Sequence, residues 1–211
     1  MKEPRRTPQG EARALAQRER ILTAAQKCFV DHGFHAASMA LICAQAQMSA
    51  GLLYRYFAGK DEIILAIIER QLEENRSSIA MLRSGADLVD AISQLFARWR
   101  RGDPDVATPV LFLEISAEAW RNPKVGEALA RSDRLIAQDI TLWLTSLARE
   151  EGRELTADEL RTQHCALRCF IEGSFVRAVR EPDLDPRLIA ESLQQLLMHM
   201  LGLNTLSGQT G

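Results

Sequence analysis

The sequence predicts an all-α protein, and three observations support this fold class. Capping residues precede the apolar segments, and glycine or proline follows them. No stretch of useful length alternates apolar with polar residues as a half-buried strand does. Apolar residues also recur at helical spacing, and the first such set is Ile21, Leu22, Ala25, Cys28 and Phe29.

The first 60 residues contain one longer helix and two short ones. The helix that includes residues 21–29 should end at Gly33, because glycine accommodates the left-handed backbone that ends many helices. Short helices are expected over 39–46 and 50–57, each preceded by a serine, Ser38 or Ser49, that can cap it.

Longer helices fill the rest of the chain. Asp61 and Glu62 favour a helix start because acidic residues in a first turn interact well with the helix dipole. The expected helices cover residues 60–83, 87–101, 105–120, 124–150, 157–180 and 187–203. The ends of the chain, 1–10 and 204–211, are predicted to be mobile.

Composition and targeting signals indicate a cytoplasmic globular protein. The chain has 211 residues and 46% hydrophobic content, enough for a sizeable core. It has no run of 18 apolar residues, and no apolar segment follows its basic N-terminus. Its cysteines lack the spacing of a disulfide framework, which fits a reducing compartment; they are Cys28, Cys43, Cys165 and Cys169.

Charge is unevenly distributed along the chain. Residues 1–60 contain nine basic and four acidic side chains, a net charge of +5, whereas the remainder carries −7. A basic front on an acidic body indicates that the front meets a polyanion. Arg5 and Arg6 either follow a DNA minor groove or are simply solvated.

Two short helices joined by a tight turn and braced by longer helices form a helix-turn-helix. The second helix of this motif lies in the DNA major groove. Leu53 and Phe57 should face inward, whereas Arg55 can reach a phosphate or a guanine. The alternative is that the aromatic side chains of this segment belong only to the core. The residues predicted to contact DNA are Ser38, Ser49, Ala50, Gly51, Leu52, Tyr54, Arg55, Tyr56 and Lys60.

Residues 21–64 resemble the DNA-binding domain of TetR-family transcriptional regulators. The resemblance covers ILTAAQKCFVDHGF and SMALICAQAQMSAGLLYRYFAGKDEII. It implies a helix-turn-helix domain with an N-terminal arm over 1–59 and a helical effector-binding and dimerisation domain over 60–211. Two features depart from the family pattern: Gln47 and Met48 replace the usual Gly and Val, and Ala37 precedes Ser38 in place of a second hydroxyl. A left-handed backbone at Gln47 would cost roughly 1 kcal/mol relative to glycine.

The last two predicted helices present apolar faces that fit a dimer interface. Paired across a two-fold axis, they would form a four-helix bundle, which is also what the resemblance implies. Alternatively, these faces only close the core of the single chain. The predicted interface residues are Phe170, Gly173, Ser174, Leu193, Leu196, Leu197 and Met200.

The resemblance also implies an effector pocket among the central helices. Glu114 interrupts the apolar run VLFLEISAEAW, so it either pairs with an arginine such as Arg168 or Arg177 or meets an effector. The candidate pocket residues, each of which also fits a plain core role, are Phe96, Trp99, Leu113, Glu114, Ala117, Trp120, Trp143 and Phe170.

No catalytic or cofactor motif is apparent in the sequence, so we expect neither an enzyme nor a bound cofactor. Cys165 and Cys169 are four residues apart beside His164, but the histidine points elsewhere on the helix and a metal site is not expected. The expected function is a dimeric repressor that binds a palindromic operator in double-stranded DNA and is released by a small apolar or amphipathic effector. The alternative is a helical ligand-binding or scaffold dimer with only generic DNA affinity.

Overall fold

The computed structural model describes residues 8–103, 106 and 108–202, and these residues form helices joined by short turns. No strand occurs within them, which confirms the all-α class. The helices are α1 (Pro8–Ala36), α2 (Met39–Ala46), α3 (Ala50–Tyr54), α4 (Lys60–Met81), α5 (Gly85–Arg100), α6 (Pro109–Arg121), α7 (Pro123–Glu150), α8 (Ala157–Arg180) and α9 (Pro186–Leu201). Arg5, Arg6 and the terminal segment 204–211 lie outside the described residues.

Capping chemistry determines where these helices begin. The Ser38 and Ser49 hydroxyl oxygens accept from the N–H groups of Leu41 and Leu52 at 3.2 and 3.3 Å, which confirms both predicted N-caps. Helix α6 starts later than the predicted residue 105, because Thr108 caps it and Pro109 occupies its first turn.

Helix α3 is shorter than predicted. It ends at Tyr54 instead of residue 57. Arg55 and Tyr56 form a turn in which the Tyr56 N–H bonds to the Leu53 carbonyl at 2.9 Å. Bonds of this i to i+3 type tighten a helix end, so the chain turns toward α4 without a longer loop.

The helices pack around two apolar clusters, and α4 contributes to both. The first cluster joins α1–α3, which we call the head, to Ile63 and Ile67 of α4 and to Leu111 and Ile115 of α6. The second lies among α5 and α7–α9, which with α6 form the body, and Leu72 and other residues of α4 pack against it. Because α4 and α6 pack against the head as well as against the body, the two parts share packed side chains. The division at residue 59 stays a prediction.

The last two helices bury much of their apolar surface inside the single chain. Helix α9 packs against α5 and α8, and the Gln163 side-chain N–H donates to the Met200 carbonyl at 2.8 Å. The chain's own helices cover four of the predicted interface residues, and their part in a dimer contact stays a prediction. These are Ser174, Leu193, Leu197 and Met200. The three other predicted interface residues retain exposed surface, namely Phe170, Gly173 and Leu196.

Within the described part of the chain, none of the helices combines the length and the apolar character that crossing a membrane requires.

Candidate nucleic-acid interface

Helices α2 and α3 form the helix-turn-helix, and α3 has one buried and one exposed face. Leu53 and Phe57 are 0% and 2% exposed, which confirms that they face inward. Tyr54 is 54% exposed on the opposite face. All the residues predicted to contact DNA have exposed surface: Ser38, Ser49, Ala50, Gly51, Tyr54 and Arg55 are exposed, and Leu52, Tyr56 and Lys60 partly so. Their contact with DNA stays a prediction.

The turn between α2 and α3 has a left-handed backbone at Gln47, with φ 52° and ψ 47°. Its N–H bonds to the Ala44 carbonyl at 3.1 Å, as in a helix C-cap. The Arg20 guanidinium of α1 donates to the Gln47 carbonyl at 3.3 Å. The turn therefore has the geometry that glycine favours, and a long side chain of α1 braces it.

Lys60, the first residue of α4, connects the start of that helix to the end of α1. Its ammonium donates to the carbonyls of Phe34 and His35 at 2.7 and 3.1 Å, and it lies 4.8 Å from the centre of the Phe34 ring. The sequence suggested only a phosphate contact for this side chain. The structure gives it a bracing role, with two of its three donors used inside the chain.

Glu114 of α6 contacts the head at the bend of α1. Gly33 interrupts the helix there with φ 75° and ψ 158°, and the following Phe34 N–H donates to the Glu114 Oε2 at 3.0 Å. The predicted pairing of Glu114 with an arginine is wrong. Arg168 pairs instead with Asp133 and Glu172, and Arg177 pairs with Glu181. The backbone N–H freed by the bend is a nearer partner than either arginine.

A second carboxylate of α6 lies one turn further along. Glu118 is only 4% exposed, and its Oε2 lies 3.5 Å from His35 Nε2 and 3.7 Å from Arg121 Nε. Together, Glu114 and Glu118 place α6 against the last turn of α1, and we call these contacts the α6–α1 junction. The sequence signalled only the acidic residues in an apolar run, and not their contacts with α1, such as the Phe34 N–H that lies 80 residues from Glu114.

The predicted effector residues do not form one site. Phe96, Trp99 and Phe175 pack as neighbouring rings, with centroids 4.8 and 5.1 Å apart, and Phe96 is buried. Trp120 is 92% exposed and Ala117 is also exposed, so both lie on the surface of this chain, and their contact with an effector stays a prediction. Both lie on the outer face of α6, which the helical period places opposite its packed residues.

Trp143 lines a cavity of about 540 Å³ between α4 and α7. The cavity also touches Ile79, Leu82 and Leu142. The Trp143 Nε1 is buried without a hydrogen-bond partner among the described residues. Leu113 and Phe170, like Glu114, are partly buried but do not line this cavity.

The cysteine pair on α8 is exposed. A hydrogen bond with Cys165 raises the pKa of the Cys169 thiol above its ordinary value, which keeps the thiol protonated at neutral pH. Within the described residues, no group of three or more His, Cys, Asp or Glu side chains could hold a metal ion.

A helix-turn-helix with an exposed second helix, packed on a larger helical body, defines the architecture of a one-component transcriptional regulator. The model of the tetR family of bacterial regulatory proteins matches residues 21–67. The transcriptional regulator UidR of Escherichia coli strain K12 is 34% identical over 132 residues, which are 61% of this chain and 64% of UidR. Together these similarities support a TetR-family transcriptional regulator, with the family model matching the helix-turn-helix segment.

Solved structures agree with this assignment over more of the chain. The structure of Salmonella enterica GusR has a TM-score of 0.73 and 29% identity, and the match covers 89% of this chain and 96% of GusR. FadR from Bacillus subtilis, solved in complex with stearoyl-CoA, has a TM-score of 0.67 and 16% identity, with 88% and 99% covered. The FadR match shows the fold alone.

Proposed function

We propose that this chain is a ligand-responsive transcriptional repressor that binds a palindromic DNA operator as a homodimer. A small apolar or amphipathic effector releases it from DNA. The observation that carries the proposal is the two-faced segment formed by α3 and the turn that follows it, with Leu53 and Phe57 buried in the head while Tyr54 and Arg55 face solvent. Since α3 holds so few residues, an apolar inner face and an accessible outer face suit a reading helix more than a core element.

The outer face of α3 has the chemistry that DNA contact requires. Ala50 and Gly51 are exposed and small, so the backbone can approach the groove floor. Arg55 forms no ion pair among the described residues, so its guanidinium is available to a phosphate or to a guanine edge. The Tyr54 hydroxyl can position the head on the phosphate backbone.

The exposed side of α8 and α9 supports the proposed homodimer. Gly173 and Val179 of α8 and Leu188 of α9 are exposed, Leu188 at 54%. An isologous contact through this face would orient two heads about a two-fold axis. The two α3 helices would then read half-sites that are one or more helical turns apart, about 34–36 Å each.

The cavity beside Trp143 supports an effector site in the body. Its volume of about 540 Å³ lies in the range of small-molecule sites, and its walls include Ile79, Leu82 and Leu142. The buried, unpartnered Trp143 Nε1 is a donor for an effector oxygen if the effector enters this part of the body. The walls combine these apolar side chains with polar ones, among them Arg76 and Asp139, and this mixture favours an amphipathic ligand.

The α6–α1 junction and α4 supply the route by which the body affects the head. Both α4 and α6 belong to the apolar cluster that holds α3. A ligand that prefers one arrangement of these helices shifts the population of head orientations by its difference in affinity for the two states. The dimer is released from DNA when the favoured state sets its two heads at a distance that does not match the spacing of the half-sites.

The test is DNA binding by the purified full chain, with the operator selected from a random duplex library and binding measured by fluorescence anisotropy at several salt concentrations. We expect tight binding to a palindromic sequence, weak binding to a scrambled duplex and a dimer in analytical ultracentrifugation. Arg55→Ala should weaken operator binding about tenfold or more, as expected for the loss of a base contact. Arg149→Ala, a matched exposed arginine at the far end of α7, should bind like the wild type.

Equal affinity for operator candidates and scrambled duplex, with only a salt slope, would contradict the proposal. That result would favour the helical ligand-binding or scaffold dimer with generic DNA affinity.

A further inference from the structure

A second cavity lies between the head and the body, nearer to the head along α4 and α7 than the Trp143 site is. Its volume is about 400 Å³, and α1, the α3–α4 turn, α4 and α7 contribute to its walls. Leu65 and Leu72 of α4 and Ala128 of α7 supply apolar surface, and Tyr56 lies at the α3–α4 turn. We call this cavity the junction cleft. Cavities at the meeting of two units are common ligand sites.

Two arginines line the junction cleft, one from each side. Arg18 of α1 lies with its guanidinium carbon 4.8 Å from the centre of the Phe57 ring, and Arg131 belongs to α7. Neither forms an ion pair among the described residues. Elsewhere in the chain, Arg76 bridges helices by pairing with Asp139 at 2.7 Å. The cleft arginines therefore keep the capacity to bind an anion.

Ser132 adds a polar group inside the junction cleft. It is only 6% exposed, and its hydroxyl makes no hydrogen bond among the described residues. Other helical serines of the body, such as Ser116 and Ser174, donate to the carbonyl four residues earlier at 2.8 and 2.7 Å. The Ser132 hydroxyl is not among the buried side-chain atoms that lack a partner, so its oxygen is open to the cleft, where a ligand or a water molecule can bond to it.

The carboxylates of the junction cleft do not remove this preference for an anion. Glu62 Oε2 already accepts from the Ala58 N–H at 2.7 Å, so it is engaged at the start of α4. Glu69 is exposed on α4, where water can solvate it. The Ser132 hydroxyl and the unpaired guanidinium groups of Arg18 and Arg131 line the cleft beside these carboxylates.

We propose that the junction cleft binds a small amphipathic organic anion. Its carboxylate or sulfonate group would lie against Arg131 and Ser132, and its apolar part would pack on Leu65 and Leu72. The ligand would touch the head through Arg18 and Tyr56 and the body through α7 at the same time. The effect of this ligand on DNA release rests on the proposed function, whereas its binding to the junction cleft does not.

The test is isothermal titration calorimetry of the full chain, without DNA, using ω-phenylbutyrate as the probe and the neutral alcohol phenylbutanol as its uncharged counterpart. We expect saturable binding of the anion and a dissociation constant at least about tenfold higher for the alcohol, as charge-assisted hydrogen bonds are lost. Arg131→Gln should weaken anion binding about tenfold, and Ser132→Ala by a smaller factor. Arg134→Gln, an exposed arginine of the same helix outside the cleft, should bind like the wild type.

Three results would overturn the inference: no saturable binding of the anion, equal binding of anion and alcohol, or anion binding that Arg131→Gln and Ser132→Ala leave unchanged. The last result would place the probe elsewhere, for instance in the Trp143 cavity. Because Arg131 and Ser132 are remote from the α3 outer face, loss of this site and loss of operator binding are separately measurable.

Discussion

At the scale of single residues, Gln47 shows how a functional turn tolerates an unfavourable backbone. Its φ of 52° lies in the left-handed region, where side-chain crowding costs an L-residue roughly 1–2 kcal/mol. Glycine avoids that crowding but loses about 0.5–1 kcal/mol more conformational freedom on folding. The difference between these terms favours glycine at this position.

We therefore predict that Gln47→Gly raises the free energy of unfolding by up to about 1 kcal/mol, measured by urea denaturation. The brace from Arg20 should survive, because it reaches the Gln47 carbonyl and not its side chain. Gln47→Ala is the control, since it keeps the Cβ atom and should give no such gain. A lower stability of the glycine variant would show that the Gln47 side chain itself stabilises the turn.

Sequence patterns predicted the local environment of single residues better than their distant partners. The helical period placed Leu53 and Phe57 inside the head, and the turn position made Gln47 a candidate for a left-handed backbone. Lys60 was different, because its partners Phe34 and His35 lie 26 and 25 residues away. No local pattern specifies that contact; it exists only once α1 and α4 have packed.

At the scale of elements, the α6–α1 junction is the contact that single-helix patterns could not supply. Glu114 Oε2 accepts from the part-buried Phe34 N–H, a donor that the bend at Gly33 leaves free. We predict that Glu114→Ala lowers the free energy of unfolding by about 1–3 kcal/mol, since it leaves that donor without a partner. Glu114→Gln should lose less, because its amide oxygen can still accept. Urea denaturation measures both effects.

Glu127→Ala serves as the control for the junction. Glu127 is exposed on α7 and makes no hydrogen bond or ion pair among the described residues, so its removal should change stability by less than about 0.5 kcal/mol. Equal effects of Glu114→Ala and Glu127→Ala would mean that water satisfies the Phe34 N–H in the variant and that the junction adds little stability.

Helix starts and helix faces differ in how far the sequence determines them. Ser38 and Ser49 act within the first turns of their own helices, so the local sequence was enough to predict both caps. The apolar stripe of α9 was equally visible, yet periodicity does not say whether α5 or a second chain covers it. In the structure α5 covers Leu193 and Leu197, which leaves Leu188 exposed.

At the scale of the whole molecule, α4 and α6 make head and body a single packed unit. The first apolar cluster includes residues of α1–α4, α6 and the start of α7, so we expect a displacement of α6 to reach the residues that hold α3. Protein interiors are close-packed and switch between discrete arrangements, which suits a two-state response to a ligand. The sequence indicated two functional halves but not this shared packing.

The stability of the whole chain should depend on pH through His164 of α8. Burial is the main cause that lowers its pKa below the ordinary value, and Arg168 adds to the effect. As pH falls through the unfolded-state pKa, about 6.5, the unfolded chain takes up a proton that the native chain resists. Stability that is present above this pH is therefore lost as the solution is acidified.

We predict that urea denaturation at about pH 7.5 and about pH 5.5 shows lower stability at the acidic pH, and that His164→Gln reduces this difference. His199→Gln, an exposed histidine on α9, should keep the wild-type difference. The quantity compared is the difference in stability between the two pH values, so any pH-independent effect of losing the imidazole cancels. The other titrating groups contribute equally to the wild type and to both variants. An unchanged pH dependence in His164→Gln would show that His164 titrates alike in the native and unfolded chains, and the partly buried imidazole would then be solvated well enough to accept its proton.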